Sequence, residues 1–149
     1  MSRLVDVYPY SIEKDQIQFL VLKRSADVRY AGQWRMVGGK VKENEEATDA
    51  AIRELKEETG LSPDIFWTIP SINQFYDQQS DTIHHIPAFG AQVNHSEQLS
   101  LNHEHREWQW VLEDDVEDYI KWPEQRRLMN LLANIVTDNE ILDAWINKQ

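Results

Sequence analysis

Residues Gly39–Leu61 read GKVKENEEATDAAIRELKEETGL and place seven carboxylates within twenty-three positions. From about Glu45 to Thr59 the pattern is helical. Ala47, Ala51 and Leu55 recur every four residues with Ala50 and Ile52 alongside, which makes one apolar flank. Asn44 is expected as the N-cap, Glu45 and Glu46 suit the positive start of a helix, and Gly60 is placed to end it. On such a helix Glu54, Glu57 and Glu58 fall within about 100° of arc, so their carboxylates are expected to converge. Like charges at these spacings repel. Either water covers that face or a cation sits on it, and oxygen-only ligands suit Mg²⁺ or Mn²⁺ rather than zinc.

Outward from this stretch the chain alternates between apolar runs and polar turns. LVDVYPYSI and QIQFLVLKR, separated by EKDQ, read as a β-hairpin. SADVRYAGQ is a loop, and WRMVGG a short extended piece leading into the acidic stretch. DIFWTIPSINQFYDQ and TIHHIPAFGAQV read as two further strands around the turn QSD, and REWQWV as another. VLEDDVEDYIKW suggests a short acidic helix. The segment from Pro123 onward suggests one or two closing helices, with proline near the start. Loops are short and no linker or repeat appears. The expectation is a single domain over residues 1–149, a mixed sheet flanked by helices.

Composition narrows the class. Hydrophobic residues make up 41% of the 149, enough for a packed core. No apolar run approaches the roughly 18 residues of a membrane span, and MSRLVDVYPY lacks the layout of a secretory signal. There are no cysteines, which excludes disulfides and thiolate metal sites and fits a cytoplasmic setting. The net charge of -11 is unevenly spread. Residues 1–38 carry six basic and four acidic side chains, whereas residues 62–149 carry five and fifteen. No basic face suited to a nucleic-acid duplex is evident. Lys23, Arg24, Arg29 and Arg35 form the local exception, compatible with a small anion held between them and a carboxylate-bound cation.

The spacing within Gly39–Leu61 is the most specific signal. Gly39 is followed after five residues by Glu45, then after seven by Arg53-Glu54-Leu55, one residue, Glu57-Glu58, one residue, and Gly60-Leu61. This resembles the Nudix box of the Nudix hydrolases at every specified position. A chance match from a given start is on the order of 10⁻⁹ at ordinary residue frequencies. The resemblance implies an α/β/α sandwich around a mixed sheet, with the box as loop–helix–loop. It also implies hydrolysis of a nucleoside diphosphate linked to another moiety, using Mg²⁺ or Mn²⁺. Glu54, Glu57 and Glu58 match the metal-binding positions, the Gly38 carbonyl matches a frequent added ligand, and Arg53 and Glu45 match positions that orient the glutamates. Gly39 is the box glycine, where backbone can approach phosphate closely.

Beyond the box, the family often draws a further ligand or general base from a loop across the cleft. Glu104 in SLNHEHREWQWV is the candidate, with Glu97 as competitor and His103 and His105 as exposed neighbours. HEHREWQWV, KWPEQRRLMNLL and WRMVGGKV are similar to segments of bacterial dihydroneopterin triphosphate/dATP pyrophosphohydrolases. That similarity implies a nucleoside triphosphate-like substrate cut to monophosphate and pyrophosphate. Lys23, Arg24, Arg29 and Arg35 would then meet phosphate, and Trp34, Phe75 or Tyr76 would stack on a base or belong to the core. Of His84 and His85, strand alternation turns one inward. Hydrolysis of ADP-ribose, another sugar nucleotide or a dinucleoside polyphosphate remains an alternative. An isoprenoid diphosphate isomerase lacks its cysteine here. A nucleotide-sensing module accounts poorly for a full set of box acids without a basic DNA-binding pattern. The expected partner is a small nucleotide-like diphosphate, with no membrane and no duplex, and the chain a monomer or homodimer.

Overall fold

The computed structural model describes residues 3–148; the remaining positions of the expected 1–149 domain lie outside them. Strands β1 (Leu4–Glu13) and β2 (Gln16–Arg24) form the expected hairpin, turning through Lys14 and Asp15, both with positive φ. The short WRMVGG piece is two strands, β3 (Trp34–Arg35) against β2 and β4 (Val37–Lys40) against β1. Helix α1 spans Ala47–Thr59, and β5 (Ile65–Asp77) and β6 (Thr82–Gln92) form a long hairpin. Strand β7 (His105–Leu112) pairs with β2. The acidic segment is only a 3-10 turn, Glu113–Asp115, followed by one helical turn, α2 (Val116–Tyr119). Helix α3 (Pro123–Thr137) then carries proline in its first turn, and a 3-10 turn at Asp143–Trp145 follows.

All seven strands belong to one sheet, ordered β3-β2-β1-β6-β5, with β4 also on β1 and β7 also on β2. The β1–β6 pairing is parallel and the other pairings are antiparallel, so the sheet is mixed. Helices cover both faces, which explains why β1 and β2 are nearly continuous apolar runs rather than alternating ones. Val5, Val7, Leu20 and Leu22 pack with Ala50, Ala51 and Leu55 of α1. Tyr8, Tyr10, Phe19 and Val21 pack on the other face with Leu128, Met129 and Leu132 of α3. This is the expected sandwich of helices around a mixed sheet.

One boundary differs. Asn44 is not the N-cap; it sits in a left-handed turn at φ 66°, and Glu46 caps without a side-chain bond. Glu45 is drawn out of the helix because its carboxylate accepts from the Lys42 backbone N–H at 2.9 Å and from Arg53. The other end is as expected. Gly60 takes φ 77°, and its N–H closes on the Lys56 carbonyl at 2.9 Å.

Candidate active site

A cleft of about 710 Å³ opens where β4 and the start of α1's acidic face meet the ends of β2, β5 and β6. Its two ends differ in chemistry.

One end is built on α1. Arg53 lies at its centre, donating through Nε and Nη2 to both Glu45 oxygens at 2.9 Å, through Nη1 to Glu54 at 2.9 Å and Glu57 at 3.2 Å, and through Nη2 to the Lys40 carbonyl at 2.9 Å. Such a planar fork cannot be copied by lysine. The Arg53 hydrogen bonds hold the Glu45 carboxyl down at about 2, and the Arg53 guanidinium is correspondingly raised by Glu45. A Cβ at Gly39 would fall on the Glu54 carboxylate and displace it. Glu58 is 1% exposed. Its Oε2 accepts from the Gly38 N–H at 3.3 Å, and its Oε1 lies 3.6 Å from His105 Nδ1. Burial first, then the adjoining Glu54 carboxyl and the charge of Glu104, push the Glu58 carboxyl well up.

The three box glutamates do not converge as expected. Glu54, Glu58 and Glu104 line the cleft, whereas Glu57 is half exposed and turned onto Arg53. Among the described residues no three acidic or histidine side chains are gathered into a ready ligand cluster. The reason is electrostatic: the Arg53 guanidinium, 3.2 Å away, is the counter-charge that draws Glu57 aside. The donors still fit a hard divalent ion. Glu54 and Glu58 form an oxygen-only pair pressed together with little water, and a cation between them would relieve the repulsion that raises Glu58. Glu54, Glu58 and Glu104 could hold such an ion, with Glu57 reaching it by leaving Arg53.

Glu104 is held by Arg24 Nη1 at 3.1 Å. The loop before it is tied to β2 by the Ser25 N–H to the Glu104 carbonyl at 2.8 Å and by Ser25 Oγ to the His103 carbonyl at 2.8 Å. Glu97 is exposed and does not line the cleft, and His103 is exposed as expected. His105 is not: it is 4% exposed, and neither ring nitrogen has a hydrogen-bond partner. Burial, with the Arg24 charge beside it, lowers this imidazole to about 4, so it is neutral at pH 7.

Arg24, Arg29 and Arg35 line the same cleft as the acids. Arg29 and Arg35 stack on Tyr30, 4.6 and 4.5 Å from the ring centre, and Arg35 also faces Trp122 at 5.2 Å. Lys23 and Trp34, expected at the substrate, stand outside the lining. Lys23 pairs with Glu107 at 3.6 Å, and Trp34 packs edge-on to Tyr119 in the core beneath. Strand alternation accounts for this, since Lys23 and Trp34 pair across β2 and β3 and point away together. Phe75 does face the cleft, packed against His84 and Trp122, while Tyr76 is 58% exposed and donates to Asp81. His84 is the inward histidine and His85 the outward one.

The far end holds residues that sequence reasoning missed. Asp6 is buried, and its Oδ2 accepts from Asn73 Nδ2 at 2.8 Å, Tyr8 OH at 3.1 Å and Gln125 Nε2 at 3.5 Å. Burial raises the Asp6 carboxyl against the pull of these donors and of Arg35. A lone acid inside the run LVDVYPY was the available signal. Asn73 and Gln125 carried none, being ordinary polar residues of a strand and a helix.

With this geometry in place, comparison with known proteins is direct. A family model described as the NUDIX domain matches residues 3–132. The chain belongs to the Nudix family and is a pyrophosphohydrolase. Among curated relatives it is similar to the CTP pyrophosphohydrolase of Escherichia coli strain K12, at 27% identity over 119 residues, covering 78% of this chain and 82% of that protein. It is also similar to the asymmetrical bis(5'-nucleosyl)-tetraphosphatase of Caenorhabditis elegans, at 28% identity over 119 residues, covering 78% and 81%. Among solved structures, a C. elegans Ap4A hydrolase binary complex superposes with a TM-score of 0.77 at 21% identity, covering 93% of this chain and 99% of that one, a likeness of fold.

Proposed function

We propose that the cleft hydrolyses a phosphoanhydride bond of a nucleoside triphosphate-like substrate, giving monophosphate and pyrophosphate, with Mg²⁺ or Mn²⁺ as cofactor. One observation carries the reading: Glu54, Glu58 and Glu104 line one cleft together with three arginines, Arg24, Arg29 and Arg35. Acids suited to a divalent cation beside cations suited to a polyphosphate are what such a reaction requires. Similarity to a CTP pyrophosphohydrolase supports the triphosphate class. Similarity to a bis-nucleosyl tetraphosphatase supports a dinucleoside polyphosphate as second reading.

The residues divide the work. Glu54 and Glu58, with Glu57 and the Gly38 carbonyl, would hold the ion, which when bound neutralises phosphate oxygens and acidifies a water. Arg53 fixes the direction of Glu54 and Glu57 and is itself aimed by Glu45. Arg24, Arg29 and Arg35 offset the charge of the phosphate chain. Glu104 stands as the proton acceptor, its carboxylate aimed by Arg24. The glycines of β4 keep the wall low enough for phosphate to approach.

The test is a screen with Mg²⁺ and Mn²⁺ over CTP, dATP, dihydroneopterin triphosphate, Ap4A and ADP-ribose, with products identified. Pyrophosphate from a triphosphate supports the first reading, and a nucleoside triphosphate or diphosphate released from Ap4A supports the second. Sugar phosphate released from ADP-ribose alone would replace both. No turnover with either metal would overturn the proposal.

A further inference from the structure

We infer that His105 is a positioning residue: its ring carries a proton on Nδ1 and donates it to Glu58 Oε1, holding that carboxylate in place for the divalent ion; this rests on the reading of Glu58 as a ligand above. The inference comes from asking what aims each acid of the site. Glu54 and Glu57 both accept from Arg53 Nη1, at 2.9 and 3.2 Å. Glu104 accepts from Arg24 Nη1 at 3.1 Å. Glu58 is the exception. Among the described residues it accepts one hydrogen bond, from the Gly38 N–H to Oε2 at a long 3.3 Å, which leaves Oε1 to be held by something else. His105 Nδ1 stands 3.6 Å from that oxygen, and both side chains are 1% exposed.

The histidine has the matching need. Neither of its ring nitrogens has a hydrogen-bond partner, although an imidazole carries at least one N–H in either charge state. A buried N–H left without an acceptor destabilises the fold. Bringing Nδ1 within hydrogen-bond reach of Oε1 takes a few tenths of an ångström and satisfies donor and acceptor together. The direction of the bond follows from Glu58. A carboxylate that ligates a cation is ionised and has only lone pairs to offer, so the hydrogen must come from Nδ1. His105 opens β7, opposite Arg24 of β2, and Glu58 lies in the last turn of α1, so the contact ties that strand to the box helix. Removing a hydrogen bond of this kind from a ligating side chain weakens metal binding about 10–100-fold.

The experiment measures Mn²⁺ affinity on the full chain, by electron paramagnetic resonance of the free ion, for the wild type, His105→Phe, His105→Asn and Glu58→Gln, with melting temperatures taken in chelator. Phe fills the space without a donor, whereas Asn brings an amide N–H close to where Nδ1 was. His105→Phe is expected to weaken Mn²⁺ binding at least tenfold, and His105→Asn to stay within threefold of the wild type. A merely structural role would lower both melting temperatures without that split. A His105→Phe Kd within threefold of the wild type, or equal weakening in both variants, overturns the inference. Should neither variant fold, nitrogen-15 histidine NMR on the wild type with Mg²⁺ decides. His105 is the buried one of the five histidines, so its ring N–H is the one protected from solvent exchange. A proton on Nδ1 is expected, and a ring protonated on Nε2 alone overturns the inference. No Mn²⁺ binding by the wild type, or binding that Glu58→Gln leaves within threefold, fails the ligand reading itself and carries the inference down with it.

Discussion

The two ends of the cleft are opposites in how they are made. At the α1 end, Glu45, Arg53, Glu54, Glu57 and Glu58 lie within fourteen positions of one another, and Arg53 satisfies three of the four carboxylates directly. At the far end, Asp6 meets Asn73 and Gln125 across 67 and 119 positions, and the cluster keeps oxygens with no partner. The first end is a local device whose side chains largely answer one another. The second is assembled by the topology of the sheet and leaves two buried amide oxygens without a partner. The glutamates and their arginine are thus written along one helix, whereas the Asp6 cluster depends on the whole fold.

The comparison breaks most visibly at Glu58. If the buried carboxyl serves chemistry rather than stability, Glu58→Gln should lower kcat roughly 10³-fold while the melting temperature stays level or rises, because repulsion from Glu54 is removed. Steady-state kinetics and calorimetry on the same preparation check both halves; a large loss of melting temperature would make Glu58 a structural residue.

Arg53→Lys comes next. It keeps the charge but loses the fork that reaches Glu45, Glu54 and Glu57 together, and kcat should fall about 10²-fold with KM little changed. A fall in KM-dependent rate alone would move Arg53 to substrate binding.

Gly39→Ala should cost roughly tenfold in kcat. Its Cβ displaces only the Glu54 carboxylate, so KM should stay as in the wild type. A change in KM without a change in kcat would mean that the two ends are not separable.

The smallest effect concerns pH. The Glu45 carboxyl is held at about 2 by Arg53, below its ordinary 4.5. A depressed acid stabilises the fold above its unfolded pKa and loses that contribution as pH falls toward the folded value. The melting-temperature gap between wild type and Glu45→Gln should therefore be largest above pH 5 and close between pH 4.5 and 2. Because Glu45 is solvent-exposed in part, salt should narrow the gap as well.

The same contrast explains what the sequence disclosed. The box helix, its Gly60 stop and both long hairpins were legible because each depends on local periodicity and turn residues. The Asn44 cap was misread because Glu45 answers to Arg53, eight residues on, rather than to the helix. The places of Lys23 and Trp34 are not legible without the register that pairs them across β2 and β3. His105 looked like a loop residue, but it opens β7 and is buried behind Glu58. Asn73 and Gln125 could not be read at all, since only the packing of α3 over β5 brings them to Asp6.

The central claim is that α1's glutamates make a phosphoanhydride hydrolysable by way of a divalent cation. Pyrophosphate release from the best triphosphate, followed as Mg²⁺ is titrated into wild type and Glu54→Gln side by side, tests it most directly. The account predicts a saturating metal dependence for the wild type and a nearly flat response for the variant at unchanged fold. Wild-type turnover in excess chelator, or a Glu54→Gln curve that overlays the wild type, would contradict it.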